Sequence, residues 1–371
     1  MTPKAALGHL RLVRTESVGP ITYRRLLARF STPAEALDAL PALARAGGRA
    51  AAPHIPSLAE VEREYAALAR IGGKFLFLDT PNYPEFLAQL PDAPPAIAVL
   101  GDAALLHSRA VGVVGARNAT ANGMRFAEHL ATELAEKLVI VSGLARGIDA
   151  AAHEGALRTG KTVAVIAGGL DVPYPPENAA LQERIAEAGA VVAEAPLGTA
   201  PISRHFPKRN RIIAGLTLGL VVIEAAIRSG SLLTARMALE AGRELFAVPG
   251  SPLDPRSKGA NDLIRQGAHL TDSAADVFDN LPDHPPPRQR SLPGIAEPTH
   301  AWGEPDETAA ELTRARRDIL ALIGAEPAGV DEIARRCHLS SAAVTAVLLE
   351  LELAGRVETL SGNRVMRPED P

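Results

Sequence analysis

The ten residues Phe206-Pro-Lys-Arg-Asn-Arg-Ile-Ile-Ala-Gly215 place Lys208, Arg209 and Arg211 within four positions, with Asn210 among them and Arg204 and His205 just upstream. No Asp or Glu occurs between Pro196 and Leu220, yet the chain as a whole carries a net charge of −4. Cations gathered into a Pro- and Gly-bounded loop of an acidic chain have the makings of a local anion site. Two readings stay open on this stretch alone: a site for a phosphate backbone, or a solvated basic turn. The apolar run behind it, from Ile212 to Ile223, ties the loop to a buried helix and strand.

Other turns have the same character. Apolar segments run into Gly115-Ala-Arg117-Asn-Ala-Thr120, Ser142-Gly143-Leu-Ala-Arg146-Gly-Ile-Asp149, Gly168-Gly169-Leu-Asp171-Val-Pro-Tyr174, Glu224 through Ser229-Gly230-Ser231, and Pro249-Gly-Ser-Pro252. In an open parallel sheet such turns lie along the carboxyl edge of the strands, where ligands bind. Glycines there let backbone N–H groups approach an anion, and the helix N-termini that follow add positive potential. Arg117, Arg146, Lys208, Arg209 and Arg211 are expected to line one phosphate-binding surface.

Several catalytic readings fare poorly. Gly112-Val-Val-Gly115-Ala-Arg117 is not a Gly-x-Gly-x-x-Gly fingerprint, and the next strand ends in Ser142-Gly143 where a dinucleotide site would want an acid. Gly155-Ala-Leu-Arg-Thr-Gly160-Lys161-Thr162 fits the spacing Gly-x-x-x-x-Gly-Lys-Ser/Thr, but it leads into the apolar strand at 162–166 instead of leaving a strand to open a helix, so it lacks the setting of a phosphate-binding loop. Asp149 and His153, four apart, lack a third metal ligand nearby, so a structural hydrogen bond is the better reading and no metal or cofactor is expected. Asp171 and Glu177 flank a Pro-rich loop, where capping and tethering outrank paired-carboxylate catalysis. Glu224 is expected to orient a cation, Arg117 or Arg228, rather than to act as a base. The rival enzyme reading is a phosphoribohydrolase of the kind miscalled lysine decarboxylases. It would need Pro-Gly-Gly-x-Gly-Thr followed by Glu, where this chain has Ile227-Arg-Ser-Gly-Ser-Leu-Leu-Thr.

These residues need a scaffold. Apolar strands at 111–114, 139–141, 162–166, 190–193, 219–223 and 245–248 alternate with amphipathic helices, the first striped by Phe126, Leu130, Leu134 and Leu138. That rhythm predicts an α/β fold, a Rossmann-like, doubly wound and mostly parallel sheet, with short flanking strands at 74–78 and 96–100. Residues 1–72 are expected to form a small all-helical domain of SAM or helix-hairpin-helix type, read as packing more than DNA contact. In it, Thr32 caps a helix that starts at Pro33. The core spans 73–280. A Pro-rich linker covers 281–311, and 312–371 forms a winged-helix domain with helices capped at Asp331 and Ser340 and a terminal hairpin. The helix from 340 to 354 carries Glu350 and Glu352 and no Lys or Arg. A groove reader should be basic, so protein contact or weak duplex contact is expected of it.

Bulk composition is that of a soluble globular chain: 371 residues, 47% hydrophobic, 22% charged and 4% aromatic. A single cysteine, Cys337, excludes a disulfide framework and fits a reducing, cytoplasmic setting. No apolar run of signal-peptide or membrane-spanning length is seen.

The motifs Val111-Gly-Val-Val-Gly-Ala-Arg117, Ser142-Gly-Leu-Ala-Arg-Gly-Ile-Asp149, Gly168-Gly-Leu-Asp-Val-Pro-Tyr-Pro175, the basic stretch, and Gly242-Arg-Glu-Leu-Phe-Ala-Val-Pro-Gly250 together resemble the DprA/Smf family of DNA-processing proteins. The resemblance is strong over 75–280. It implies a cytoplasmic, non-catalytic protein that binds single-stranded DNA, protects incoming DNA and helps load the RecA recombinase in natural transformation. Carried over by motif, Arg117, Lys208, Arg209 and Arg211 would contact DNA, with Arg146 beside them. The family's homodimer and RecA contacts would fall on 261–270, with Asn261, Ile264 and Leu270, the last two expected to be exposed.

Overall fold

In the computed structural model, residues 1–284, 309–360 and 362–368 are described. Most of the proposed linker, 285–308, lies outside the described residues. The chain divides into two compact units, Glu64–Arg288, and Met1–Arg63 together with Gln289–Pro371.

The first unit is built on nine strands: β1 (Lys74–Phe77), β2 (Ala96–Gly101), β3 (Ala110–Gly115), β4 (Val139–Ser142), β5 (Thr162–Ile166), β6 (Ala190–Ala193), β7 (Gly219–Ile223), β8 (Glu244–Ala247) and β9 (His269–Leu270). Their order across the sheet is β1-β2-β6-β5-β4-β3-β7-β8-β9. The seven from β6 to β9 run parallel, and β2 and β1 are added antiparallel at one edge. The strand order reverses between β3 and β7. That is the switch point of a doubly wound sheet, where a crevice opens beyond the strand ends. The sequence patterning anticipated every strand except the short edge strand β9.

Both faces of the sheet are covered, which is why its strands read as unbroken apolar runs. Leu220 and Val222 face one layer and Val221 and Ile223 the other, in the period-two alternation of a strand. In chain order the helices are α1 (Pro3–Val13), α2 (Pro20–Arg29), α3 (Pro33–Ala46), α4 (Leu58–Arg70), α5 (Glu85–Ala88), α6 (Ala121–Leu134), α7 (Ile148–Thr159), α8 (Ala179–Ala188), α9 (His205–Leu216), α10 (Gly230–Glu240), α11 (Lys258–Arg265), α12 (Ala274–Asn280), α13 (Ala309–Leu322), α14 (Val330–Cys337) and α15 (Ser341–Leu353). Helices α9 and α10 pack on one face through Ile212, Ile213 and Ala235, while α6, α7 and α12 pack on the other through Ala127, Leu130, Ala152 and Val277.

The basic stretch is not a loop: it is α9, from His205 to Leu216. Pro207 sits in its first turn, where a missing N–H breaks no hydrogen bond. Arg243 donates to the carbonyls of Ala214 and Gly215 and so closes the helix's far end, where the partial negative charge collects.

In the second unit Thr32 caps α3 by accepting from the Glu35 N–H, as its position before Pro33 predicts. Ser340 caps α15 through the Ala343 N–H. Asp331 is not a cap: Gly329 takes that place and Asp331 sits in the first turn of α14. Strands β10 (Ala328–Gly329), β11 (Glu358–Leu360) and β12 (Arg364–Met366) complete a winged-helix outline. The sequence reading kept the helical and winged-helix segments apart, whereas here they share one compact body. The apolar cluster of Leu12, Tyr23, Leu26, Leu40 and Leu43 includes Leu349 and Leu353 of α15.

Candidate nucleic-acid interface

The carboxyl ends of β3, β4 and β5 and the start of α9 enclose a pocket lined by Arg117, Gly143, Ala145, Arg146, Gly168, Val172, Tyr174, Pro175, Phe206 and Arg209, among others. Its cavity is about 70 Å³. At roughly 10–15 Å³ of such space per water, that suits a phosphate group rather than a whole nucleotide. Of the expected site residues, Arg117, Arg146, Arg209, Gly143 and Gly168 converge there.

Arg209 is the unusual member. Its residue is only 6% exposed. Among the described residues it forms no ion pair within 4.0 Å, and its Nε is buried without a hydrogen-bond partner. Burial pulls the guanidinium down to about 10, with the Asp149 charge opposing and Arg117 adding to the fall. It remains a cation at neutral pH. Gly143 explains how it fits, since a Cβ there would fall on the Arg209 guanidinium. The next turn closes at Gly147, whose φ of 72° and tight approach to the Ala116 and Arg117 carbonyls require glycine.

Beneath Arg209 lie two buried titratable groups. Asp149 accepts from the Gly143 N–H at 3.2 Å and the Ala145 N–H at 3.4 Å. Burial raises its pKa, and the Arg209 charge is the largest influence working the other way. His153 Nδ1 lies 2.7 Å from the Thr162 hydroxyl, which itself donates to the Ile140 carbonyl. That hydroxyl must therefore accept, so Nδ1 carries the proton. Burial, then the Arg209 charge, depresses His153 to about 3. The pair does not form an Asp–His contact; each holds a different part of the fold.

The rim is cationic and aromatic. The Arg117 guanidinium lies 4.8 Å from the centroid of the Phe206 ring, and the Tyr174 ring centroid is 5.8 Å from that of Phe206. Arg146 forms an ion pair with Glu177 while 61% of its side chain stays exposed. Lys208 and Arg204 are exposed on the first turn of α9. His205 is lowered by partial burial and then by those two charges.

Other expected site residues are placed elsewhere. Arg211 is buried on the far side of α9, where its guanidinium donates two 2.6 Å bonds to the Glu194 carboxylate and a third to the Asp92 carbonyl. Residues two apart on a helix point nearly opposite ways, so 209 and 211 cannot share a surface as they would in a loop. The Ser142 hydroxyl donates to the Val113 carbonyl and is fully buried. Gly169 donates its N–H to the Thr199 carbonyl. Asn210 ties α9 to the Gly230 carbonyl at 3.5 Å, and the Ser229 and Ser231 hydroxyls lie 2.8 Å apart; none of these lines the pocket. Asn261 holds the Gly250 N–H and carbonyl, Ile264 is half-buried rather than exposed, and Leu270 is exposed at 51%.

Glu224 also departs from expectation. Among the described residues its carboxylate makes no ion pair with Arg117 or Arg228; it accepts from the N–H and hydroxyl of Thr120, the N-cap of α6, from a left-handed backbone at φ 51°. Asp171 likewise takes the Gly198 N–H at 2.7 Å, which makes it a loop tether. A pattern emerges along the strand ends. Backbone donors at three of the turns are already satisfied by the chain's own Asp149, Glu224 and Asp171. The cationic groups lining the pocket are guanidinium side chains, those of Arg117, Arg146 and Arg209. Spacing gives no hint of the satisfied donors, because acceptor and donors are up to 104 residues apart.

Known proteins share this arrangement of elements. A family described as DNA recombination-mediator protein A matches residues 74–282, a DprA-like N-terminal HHH domain matches 3–67, and a DprA winged helix domain matches 303–363. Protein Smf of Escherichia coli (strain K12) is 40% identical over 291 residues, covering 77% of this chain and 75% of that protein. DNA processing protein DprA of Bacillus subtilis (strain 168) is 43% identical over 234 residues, 60% of this chain and 79% of that one. Among solved structures, DprA of Streptococcus pneumoniae is 43% identical and covers 62% of this chain and 80% of its own, at a TM-score of 0.59. DprA of Helicobacter pylori, described for its single-stranded DNA binding mode, is 31% identical and covers 56% of this chain and 95% of its own, at a TM-score of 0.51.

Proposed function

The chain belongs to the DprA/Smf family, and from that premise we propose that it binds single-stranded DNA by seating a backbone phosphate against Arg209, between Arg117 and Arg146. The observation that carries this reading is Arg209 itself. A buried guanidinium that has no carboxylate within 4.0 Å among the described residues, and only the longer-range charge of Asp149 to offset it, is costly, and a pocket-facing one has that cost relieved when an anion arrives. Lys208 and Arg204 extend the positive surface along the strand's path, and Tyr174 and Phe206 offer ring faces to unstacked bases. The Helicobacter pylori relative's description as a single-stranded DNA binder points the same way.

Binding rather than hydrolysis is favoured by the self-occupied turns. A nucleotide-cleaving site of the phosphoribohydrolase type would present backbone donors to the phosphate, and here Asp149 and Glu224 hold such donors. Loading of the RecA recombinase during transformation, and a homodimer through Asn261, Ile264 and Leu270, remain part of the proposal on the strength of the family resemblance. Among the described residues no helix is long and apolar enough to cross a membrane.

Fluorescence anisotropy of a labelled single strand and its matched duplex, across a salt series, tests the site. Three neutralised phosphates on a single strand predict a slope of about −2 in log K against log salt. The wild type should prefer the single strand, and an Arg117→Ala/Arg209→Met double variant should bind more weakly with a flatter slope. An unchanged slope in the double variant would put the DNA elsewhere. Sustained release of adenine from AMP would overturn the non-catalytic reading.

A further inference from the structure

Helix α15 occupies the position from which a winged helix would enter the major groove. Its inner face, Val344, Val347, Leu348 and Leu351, packs into the winged-helix core. Its outer face is not left to solvent. Leu349 and Leu353 join the apolar cluster of the N-terminal helices with Leu12, Tyr23, Leu26 and Leu40. A Cβ on Gly47, at the end of α3, would strike the Glu350 main-chain carbonyl, so the two backbones are in close contact.

The charges on this face are matched as well. Glu352, only 9% exposed, lies 3.8 Å from Arg25 of α2 and accepts from the Thr359 N–H and hydroxyl. Arg25 also donates to the Thr359 hydroxyl at 3.2 Å. Arg49 reaches the Leu353 carbonyl at 3.4 Å and pairs with Glu16 at 2.7 Å, which places a cation at the carboxyl end of α15. Glu350 is held by Arg316 of α13 at 2.7 Å. The part of α15 that is not buried is its first turns, with Ser341 exposed and Ala342 and Thr345 half-buried, and these carry no cation. An acidic and apolar helix face, covered by a basic and apolar partner, has little to offer a duplex.

We propose that the outer face of α15 is the docking surface for the chain's own N-terminal helices, and that this winged helix is thereby withdrawn from groove reading. The two ends of the chain then act as one body. Any partner competing for α15 would have to be a cationic amphipathic helix resembling α2.

Hydrogen exchange on the full-length protein tests the docking. Amides of 346–353 and of 36–44 should open together. Gly47→Val, which wedges the helices apart, and Arg25→Ala, which strands Glu352, should each lower protection of both segments at least tenfold. Loss of protection in 36–44 alone would overturn the proposal. So would protection of 346–353 that appears only at concentrations where the chain is dimeric, which would mean ends exchanged between copies. The groove-reading half is tested with Ser341→Glu/Thr345→Glu, which adds negative charge where a recognition helix meets bases. Duplex affinity should stay within twofold of wild type, and a tenfold loss would restore α15 as a DNA reader.

Discussion

Arg209 and Arg211 share one helix, one residue type and nearly one degree of burial, at 6% and 7% exposure. Their surroundings differ completely. Arg211 is enclosed by Glu194 and Asp92, so its charge is matched inside the protein. Arg209 faces the pocket, and among the described residues it has no carboxylate within 4.0 Å, only the longer-range charge of Asp149. Burying a cation is unfavourable in either place. The first arginine recovers that cost on folding, and on the proposed function the second recovers it on binding. Stability and affinity should therefore respond to the two in opposite ways.

The largest effect expected is on stability. Arg211→Ala takes from the Glu194 carboxylate the guanidinium nitrogen that bonds both of its oxygens. Breaking a fully buried pair costs ~3–5 kcal/mol, and Glu194 keeps 24% of its side chain exposed, so a loss of about 2–3 kcal/mol is expected. Chemical denaturation would measure it, and single-strand affinity of the folded fraction should not move. If affinity falls while stability holds, the assignments of the two arginines must be exchanged.

Next comes Arg209→Met, which removes the unmatched charge and keeps the volume. Affinity for the single strand should drop by about 2 kcal/mol, roughly 30-fold, as for loss of a desolvated charged contact. Stability should change less than in Arg211→Ala, because relief from burying a cation is set against the loss to Asp149 of its largest favourable charge. Gly143→Ala sharpens the point, because it alters no charge yet displaces the guanidinium. It should reproduce most of the affinity loss, and normal affinity in that variant would detach Arg209 from the site.

How much of this could be read from residues alone divides along the same helix. Strands β3 to β8 announced themselves because buried parallel strands are continuous apolar runs bounded by glycine turns. The pocket's membership was half legible, since Arg117, Gly143, Arg146 and Gly168 all follow such strands. The basic stretch was misread as a loop because Pro207 and Gly215 bracket it and its charges cluster in sequence. Clustering in sequence is a guide to clustering in space only when the backbone is extended or irregular. Once wound at about 100° per residue, Lys208, Arg209 and Arg211 diverge. The covering of α15 was equally hidden: the helix is apolar nearly all round, and its outer partners lie some 300 residues away. Glu224 was misassigned for the same reason, its true partner Thr120 being 104 residues distant.

Acid provides a third probe of the unmatched arginine through the histidine beneath it. His153 stays neutral in the folded protein down to about 3, while an unfolded histidine takes up a proton near 6.5. The folded pKa is the lower one, so the contribution is fully present above about 6.5 and is lost as pH falls through the interval towards 3. The expected slope is about 1.4 kcal/mol per pH unit from this group. His153→Gln should flatten the acid limb of the stability curve. In Arg209→Met the limb should shallow only in part, because burial, and not the arginine, is the larger cause of the depression. Equal acid sensitivity in wild type and His153→Gln would show that the histidine is not held neutral.

The smallest effect separates charge from ring contact at the rim. Arg117 is exposed, so its Coulomb attraction to phosphate is screened by solvent and salt. Arg117→Ala should weaken binding by about 1 kcal/mol, roughly fivefold, and reduce the salt slope by about 0.7, the loss of one single-strand phosphate contact. Arg117→Lys keeps the charge but not the flat guanidinium that lies 4.8 Å from the Phe206 ring centroid. A lysine there is a mobile point charge, and it neither stacks on Phe206 nor holds that ring against Tyr174. The lysine variant should thus keep the wild-type salt slope and still lose about half of the affinity change seen with alanine. If lysine restores both affinity and slope, Phe206 does no more than occupy space beside the pocket. If it restores neither, Arg117 acts on DNA through planar two-pronged hydrogen bonding, and the rim belongs with Arg209 as a shaped phosphate site rather than a diffuse positive surface.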